Sequence, residues 1–305
     1  MTDVSAQVKG PLISVVMPVY NSETFLAEAI QSILNQTLGD FELLIVYDES
    51  GDNSFAIIDR YRRLDPRIRV IQGQKKALIG ALNQGIEIAR GKYVARMDAD
   101  DISEPERFEK QTELMASTGA DICGCHWFVI NELGKLIDAK LMPLSQESFA
   151  VFLAYTVPFV HGSVLMRSEF VRKNSLRYGG VELNEDYDLW IRFFEKGAKF
   201  ANANDFLFKY RERADSLTKE LSKGVVAQAK ALRRRFVRDN MDICNSAIRE
   251  MTKQYASLSQ SERVYVLLAA YLVSIISRRP TFLRVLRQSN GKSIGLALLY
   301  LLRGV

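Results

Sequence analysis

Short apolar runs alternate with amphipathic stretches through the first hundred residues of this chain. Residues 13–17 have buried-strand character and end at Pro18, and residues 22–36 set Leu26, Ile30 and Ile33 on one helical face. Asn21 or Ser22 is the expected cap of that helix. Residues 41–46 predict a second strand, 53–64 a second helix, 68–71 a third strand, and 78–89 a third helix closed by Gly91. Residues 93–97 predict a fourth strand that runs straight into Asp98-Ala99-Asp100-Asp101. Alternation of this kind implies right-handed crossovers and an α/β fold, a mostly parallel sheet with helices on both faces. Ligands of such sheets sit beyond the carboxyl ends of the strands. Tyr20-Asn21, residues 48–52 and residues 98–101 all fall at those ends, so they are expected to line one crevice.

Beyond Pro105 the pattern predicts a helix to Ser117, a strand over 121–129, a turn at 131–134 and a helix near 146–155. A strand at 162–166 and a helix at 185–195 follow, and everything after Thr218 reads as helix. Hydrophobic residues at 48% and charged residues at 25% over 305 residues describe an ordinary globular protein. The net charge of +5 conceals an asymmetry: residues 221–305 carry 15 Lys and Arg against 4 Asp and Glu, which leaves residues 1–220 at −6. That change of sign divides the chain into an α/β domain, 1–220, and a basic helical region, 221–305.

Residues 1–10 lack the apolar segment of a secretory signal, and no run reaches the roughly 18–20 apolar residues of a spanning helix. A cytoplasmic location is therefore expected, peripheral on the inner face of the plasma membrane if the basic region meets lipid. Cys123, Cys125 and Cys244 are too few and too unevenly spaced for a disulfide framework or a zinc site, and read as small buried hydrophobes.

Asp98-Ala99-Asp100-Asp101 carries the strongest chemical signal. Three carboxylates within four residues repel one another unless a cation neutralises them. Hard oxygen ligands at a strand end suit Mg²⁺ or Mn²⁺, with diphosphate oxygens completing the shell. A solvated acidic loop before a helix would look similar. Asp48 and Ser50 could meet a base or ribose, although Asp, Ser and Gly are also turn residues. Glu185-Asp186 opens a helix beside aromatic residues, which suits a general base or simple helix stabilisation. His161 could line the same site or be a hydrogen-bonded core histidine.

Taken together, residues 13–21, the Asp48 segment, Ala81-Leu82-Asn83-Gln84-Gly85, Ala95-Arg96-Met97-Asp98-Ala99-Asp100-Asp101, Pro105-Glu106-Arg107-Phe108 and Glu185-Asp186-Tyr187-Asp188-Leu189-Trp190 resemble glycosyltransferase family 2. The similarity runs over about residues 12–217 and is strongest to bacterial enzymes of capsule, exopolysaccharide and O-antigen synthesis. It implies a GT-A fold and inverting transfer from a nucleotide sugar, by default a UDP-sugar, to a glycan or lipid-linked acceptor. Pro18, Val19, Tyr20, Asn21, Asp48, Ser50, Asn83, Arg96, Asp98, Ala99, Glu185 and Arg213 would then contact the donor. Asp100, with Asp98, would hold the Mn²⁺ or Mg²⁺, and Asp186 would deprotonate the acceptor hydroxyl.

Three positions depart from the pattern. Tyr47 stands where relatives often have Asp, Ala77 where they often have Gly, and Arg213 where they often have a metal-binding His. Arg213 could bind phosphate instead, which leaves a third protein ligand at that point open. The apolar runs at 264–276 and 294–302, set among Arg233-Arg234-Arg235, Arg278-Arg279, Arg284 and Arg287, predict either helices lying on an anionic membrane or a bundle packed on the catalytic domain. The length of those runs favours the membrane. Nucleic acid is not an expected partner. A sugar-phosphate nucleotidyltransferase would show a Gly-rich basic loop after the first strand, and a dinucleotide dehydrogenase a G-x-G-x-x-G; the chain has Pro18-Val19-Tyr20-Asn21-Ser22-Glu23. A non-catalytic membrane scaffold of the same fold would be expected to have lost Asp98, Asp100 and Asp186, and all three are present.

Overall fold

Apolar side chains at nearly every position of residues 13–19 leave no face for water, and this strand is buried on both sides. The computed structural model describes residues 10–74, 77–179, 184–213, 223–278, 280–289, 292–294 and 296–297. Its first half runs β1 (Ile13–Val19), α1 (Leu26–Leu34), β2 (Phe41–Tyr47), α2 (Ser54–Leu64), β3 (Ile68–Gln72), α3 (Ala77–Ile88) and β4 (Tyr93–Arg96). There follow β5 (Ile102–Ser103), α4 (Arg107–Thr118), β6 (Ile122–Ile130), β7 (Leu136–Lys140) and α5 (Gln146–Leu153). A short 3-10 turn at His161–Ser163 leads into β8 (Leu165–Arg167), α6 (Ser168–Lys173), α7 (Glu185–Glu195) and β9 (Phe200–Arg211). The remainder is helical: α8 (Lys223–Asp239), α9 (Met241–Lys253), α10 (Gln260–Ser277) and α11 (Thr281–Leu286).

The strands form one sheet in the order β3-β2-β1-β4-β8-β6-β9-β5, with β7 also paired to β6. β3, β2, β1 and β4 are parallel, as expected of βαβ crossovers. Beyond β4 the sheet becomes mixed: β8 is antiparallel to β4 and β6, and β9 is parallel to β6. Alternate residues of β1 and β2 point to opposite cores. Val15, Met17, Leu43 and Ile45 pack with α1, α2 and α4, while Val16 and Leu44 pack with α3 and the later helices. Helices therefore cover both faces, and the architecture is GT-A-like.

The sequence pattern gives α7 its observed bounds and omits β5, β7, α6 and β9. β9 escapes notice because Asn202, Asn204 and Asp205 read as turn residues, and its ladder with β6 is interrupted by register shifts around His126. Helix α1 begins later than Ser22. Asn21 takes a left-handed backbone (φ 46°), and the polar groups of residues 22 and 23 are engaged elsewhere. Ser22 N–H donates to Ser54 Oγ (2.9 Å), Glu23 N–H to Asp52 (2.9 Å), and Glu23 accepts from both Asn53 nitrogens (2.8 Å each). Those bonds lock the loop after β1 to the loop after β2.

The apolar run over 264–276 is consumed by packing. Val264, Val266, Leu267, Leu268, Ala269, Ala270 and Val273 are buried, and α10 lies against α5, α8, α9 and α11. These helices share one continuous apolar cluster with α3, α5 and α7. That packing accounts for the apolar excess which had favoured a membrane. No helix among the described residues is long and apolar enough to cross one. The expected boundary at residue 220, and most of the 294–302 run, lie outside the described residues.

Candidate active site

Parallel pairing brings the carboxyl ends of β1, β2 and β4 side by side. Val19 sits opposite Tyr47, Val16 opposite Arg96, and the Asp48 N–H donates to the Val19 carbonyl at 3.0 Å. Pro18 is half-buried, Val19 buried, and Tyr20 presents an exposed ring at the edge, next to Asn21. The Asp48 carboxylate is buried against Gly73: a Cβ at that glycine would lie 2.1 Å from Asp48 Oδ1. Gly73 thus makes the room that Asp48 occupies. Ser50 turns inward, its hydroxyl donating to Asp52 at 2.7 Å and its N–H to the Tyr47 hydroxyl at 3.1 Å. Burial acts against the Asp52 charge, but bonds from Ser50, the Glu23 N–H and Ser54 outweigh it and hold the carboxyl at about 2. Tyr47, at the position where an Asp is common, leans on Phe55 with ring centroids 5.4 Å apart.

The acidic segment after β4 is held by three arginines. Arg96 is buried and ion-pairs with Asp98, and Arg213 Nη1 lies 3.1 Å from Asp100 Oδ2. Arg211 donates its N–H to Asp101 Oδ1 (2.7 Å) and its Nε–H to the Asp100 carbonyl (2.8 Å). Arg211 is itself fixed, buried over the Phe25 ring at 4.3 Å and paired with Glu28. Asp98 and Asp100 keep about 27% and 31% of their side-chain surface exposed, with Ala99 buried between them. Asp101 is buried, and its Oδ2 has no hydrogen-bond partner among the described residues. Burial and the neighbouring Asp100 charge raise its carboxyl well above the ordinary range. Behind the segment, fully buried Arg107 donates to the Arg96 carbonyl (2.9 Å) and Gln111 to the Ser163 carbonyl (2.9 Å). The Pro105–Phe108 motif thus fixes the backbone of this site from below.

The opposite wall is built by the His161 turn, Tyr178 and the start of α7. Gly162 passes so close to Asp98 that a Cβ there would be 3.1 Å from Oδ2 and 2.3 Å from the Phe208 ring. His161 Nε2 meets the Tyr178 hydroxyl at 2.7 Å, and its ring stands edge-on to Trp190. Burial, then the charge of Arg96, keeps this histidine well below its ordinary pKa. Asn83 uses both ends of its amide on the Tyr178 backbone, accepting at 2.8 Å and donating at 3.0 Å. The expected donor-binding role of Asn83 is thus matched by a side chain committed to holding Tyr178. Glu185 is buried and Asp186 half-buried at the N-terminal turn of α7. Burial first, then the Glu185 charge, raises the Asp186 carboxyl to about 7, against the opposing Tyr187 N–H and Arg96. α7 is anchored by α8: Asn184 donates to the Val225 carbonyl (3.1 Å), and Asp188, already paired with Arg192 one turn along α7 (2.8 Å), also meets Arg235 (3.5 Å).

Arg96 joins the two walls. Its guanidinium acts electrostatically on Asp100, Asp101 and Glu185 as well as on Asp186, His161 and Tyr178. Positions 18–20, 48 and 96–101 thereby lie side by side at the strand ends, linked through Arg96 to 185–186 and through Arg211 and Arg213 to the end of β9. Tyr178, Gly73, Phe25 and Arg211 take part in these contacts without having been singled out by sequence. A lone Tyr or Gly gives no periodic or motif signal, and the Arg211-to-Phe25 stack joins residues far apart in the chain.

The family model for glycosyl transferase family 2 matches residues 14–174, more than half of the chain. The chain belongs to this family. EpsE of Bacillus subtilis is 32% identical over 92% of this chain and 97% of its own length. The amylovoran biosynthesis glycosyltransferase AmsE of Erwinia amylovora is 35% identical over 68% of this chain and 79% of its own. For the O-antigen biosynthesis glycosyltransferase WbnJ of Escherichia coli the figures are 32%, 66% and 79%. Among solved structures, S. aureus TarS 1-349 in complex with UDP-GlcNAc superposes with a TM-score of 0.61 at 14% identity, covering 90% of each chain. The Pyrobaculum calidifontis mannosyltransferase PcManGT, in complex with GDP-Man and Mn²⁺, gives 0.53 at 15% identity, covering 96% and 81%. These likenesses establish the GT-A fold of this glycosyltransferase.

The donor set suits an open cation site and no closed cage. Asp98 and Asp100 offer partly exposed carboxylate oxygens, whereas Asp101 is turned inward onto Arg211. Among the described residues no three His, Cys, Asp or Glu side chains gather as a complete metal site. Mg²⁺ and related ions accept this arrangement, binding one or two carboxylates and completing the shell with substrate phosphates and water.

Proposed function

We propose that the chain transfers a sugar from a nucleoside-diphosphate donor to an acceptor hydroxyl with inversion at the anomeric carbon. One observation carries this reading: Asp186, a carboxyl raised to about 7, and the acidic segment both lie within electrostatic reach of the buried Arg96. A displacement at the anomeric carbon needs a base on one side of the sugar and charge neutralisation of the departing diphosphate on the other. Asp186 takes the acceptor proton as the acceptor oxygen bonds to the anomeric carbon. The bond from that carbon to the diphosphate oxygen breaks, and the nucleoside diphosphate leaves with its electron pair. Asp100, with Asp98, would hold an Mn²⁺ or Mg²⁺ ion, which supplies Lewis-acid neutralisation of the diphosphate when bound. Tyr20 and Asp48 flank the nucleoside, Arg96 steadies Asp98, and Arg213 meets phosphate.

A carboxyl poised near neutrality is half ionised at working pH, which suits a base that must accept and then release a proton. Names such as AmsE and WbnJ support a product that is a surface polysaccharide repeat, built on a glycan or lipid-linked acceptor, with a UDP-sugar the first donor to test. Exposed Ile243, Ile275 and Leu283, in a region that also carries Arg278 and Arg284, would let the bundle touch an anionic membrane that holds such an acceptor.

The test is a panel of nucleotide sugars with Mn²⁺ or Mg²⁺, scored by thermal stabilisation and slow hydrolysis. Asp100→Ala is expected to abolish cation-dependent donor binding. Asp186→Asn should bind donor as the parent does and transfer no sugar. Normal transfer by Asp186→Asn would remove Asp186 as the base.

A further inference from the structure

Each of the three carboxylates after β4 meets an arginine of its own chain, and the three arginines are not equally held. Arg96 and Arg211 are buried, with side chains 4% and 2% exposed. Arg211 is tied by its backbone to Asp101 and by its guanidinium to the carbonyls of Asp100, Asn131 and Glu132, to Glu28 and to Phe25. Arg213 follows two residues later, just past the end of β9. Its side chain is 24% exposed, it touches Asp100 Oδ2 at 3.1 Å, and it lies 5.7 Å from the centroid of the same Phe25 ring.

We propose that Arg213 is a built-in counter-ion of Asp100 which a divalent cation displaces, the released guanidinium then passing to the donor diphosphate. The inference rests on the reading that Asp100 holds the cation at a nucleotide-sugar site. A dication and a guanidinium on one carboxylate repel each other, so binding the first weakens the hold on the second. The planar guanidinium of the released arginine finds in a diphosphate a bidentate partner richer in charge than one carboxylate. Cation alone breaks the ion pair with Asp100, whereas cation with nucleotide gives the guanidinium a phosphate partner in its place. The two ligands therefore bind cooperatively, and reciprocally so. Without ligands the acidic segment stays neutralised by the chain itself, which relieves the repulsion that its spacing implies.

The experiment measures Mn²⁺ affinity by titration calorimetry and by the electron paramagnetic resonance of free Mn²⁺. The full-length chain is used, with and without saturating UDP or GDP. Arg213→Gln is expected to bind Mn²⁺ alone roughly tenfold tighter than the parent, a factor at the low end of usual coupling. In that variant the enhancement of Mn²⁺ binding by nucleotide should shrink by the same factor. Arg213→Lys keeps the charge and should behave as the parent, which separates competition from any general loosening of β9. Equal or weaker Mn²⁺ binding by Arg213→Gln in the absence of nucleotide overturns the exchange. Unaltered Mn²⁺ and nucleotide binding in Asp100→Asn overturns the underlying site reading instead, and the exchange with it.

Discussion

The raised carboxyl of Asp186 makes a sharp demand on the pH dependence of sugar transfer. A base that must be ionised gives a rate that climbs with pH and levels off above its pKa, so log kcat/KM should rise with unit slope up to about pH 7 and then flatten. Burial is the largest cause of the elevation and Glu185 is the second. Glu185→Gln removes one negative charge while leaving the shape of the helix start intact. Neighbouring carboxylates roughly 7 Å apart interact by about 1–2 kcal/mol at an effective dielectric constant of 20–40, which corresponds to about one pH unit. The acid limb of Glu185→Gln should therefore move down by about one unit, toward pH 6. The assay is steady-state transfer at subsaturating acceptor between pH 5 and 9, with cation and ionic strength fixed. An acid limb in the parent below pH 5, or one unmoved in Glu185→Gln, would refute the assignment of the base and of its neighbour's effect.

Three further outcomes follow from the packing. Gly73→Ala places a methyl group where Asp48 Oδ1 now lies, so nucleotide Kd should rise about tenfold by calorimetry, the ~1.4 kcal/mol of one displaced contact, with the fold retained by circular dichroism. Glu42 accepts from Ser14, Arg69 and Arg90, which outweigh its burial and hold its carboxyl at about 2. Its folded pKa is depressed, so its contribution is present above about pH 4.5 and lost as pH falls toward 2. Since both arginine partners are partly exposed, that contribution is on the order of 2 kcal/mol; urea unfolding should show Glu42→Gln weakened by that much at pH 7 and equal to the parent near pH 2. Cutting the chain at residue 220 removes α8, and with it Arg235 and the Val225 carbonyl that hold α7. The shortened chain should lose both cooperative unfolding and transfer, and a truncated protein that still transfers sugar would contradict the shared core.

Much of the crevice was legible because its elements are local. β1 to β4 announce themselves by apolar runs, and the residues at their ends inherit a position from the alternation of strand and helix. Ala77 shows how a departure from pattern becomes structural once the backbone is known. It adopts a left-handed conformation (φ 54°), where glycine is least strained, so the Gly common at that position answers to backbone rather than to ligand. Asn83 shows the reverse. Its place in a recurring motif suggests a ligand contact, but its amide spans to the peptide of Tyr178, ninety-five residues away. No spacing rule reaches across such a distance, and Tyr178 stayed illegible for the same reason, whereas His161 was noticed without its partner.

The C-terminal helices show why composition alone left the balance between lipid and protein open. An apolar run at 264–276 surrounded by arginines fits a membrane-surface helix and a bundle core equally well, because both bury one side of an amphipathic rod. What decides is whether another apolar surface of the same chain needs covering. Here α5 and α7 present Phe149, Phe152, Phe193 and Trp190 on the face of the sheet away from α1, and α8 to α11 join the same cluster. The arginines then divide. Arg233 lies over Tyr155 and Arg235 pairs with Asp188, so part of the basic charge is spent holding the helix that carries Asp186, while Arg278 and Arg284 lie further along, near exposed Ile275 and Leu283. An attraction to an anionic surface at the end that carries Ile275 and Leu283 should weaken with salt over a Debye length of about 8 Å at 0.15 M. Vesicle binding by the full-length chain should fall on Arg278→Gln with Arg284→Gln while sugar transfer to a soluble acceptor is unchanged. Loss of both together would mean that these arginines support the fold rather than a membrane contact.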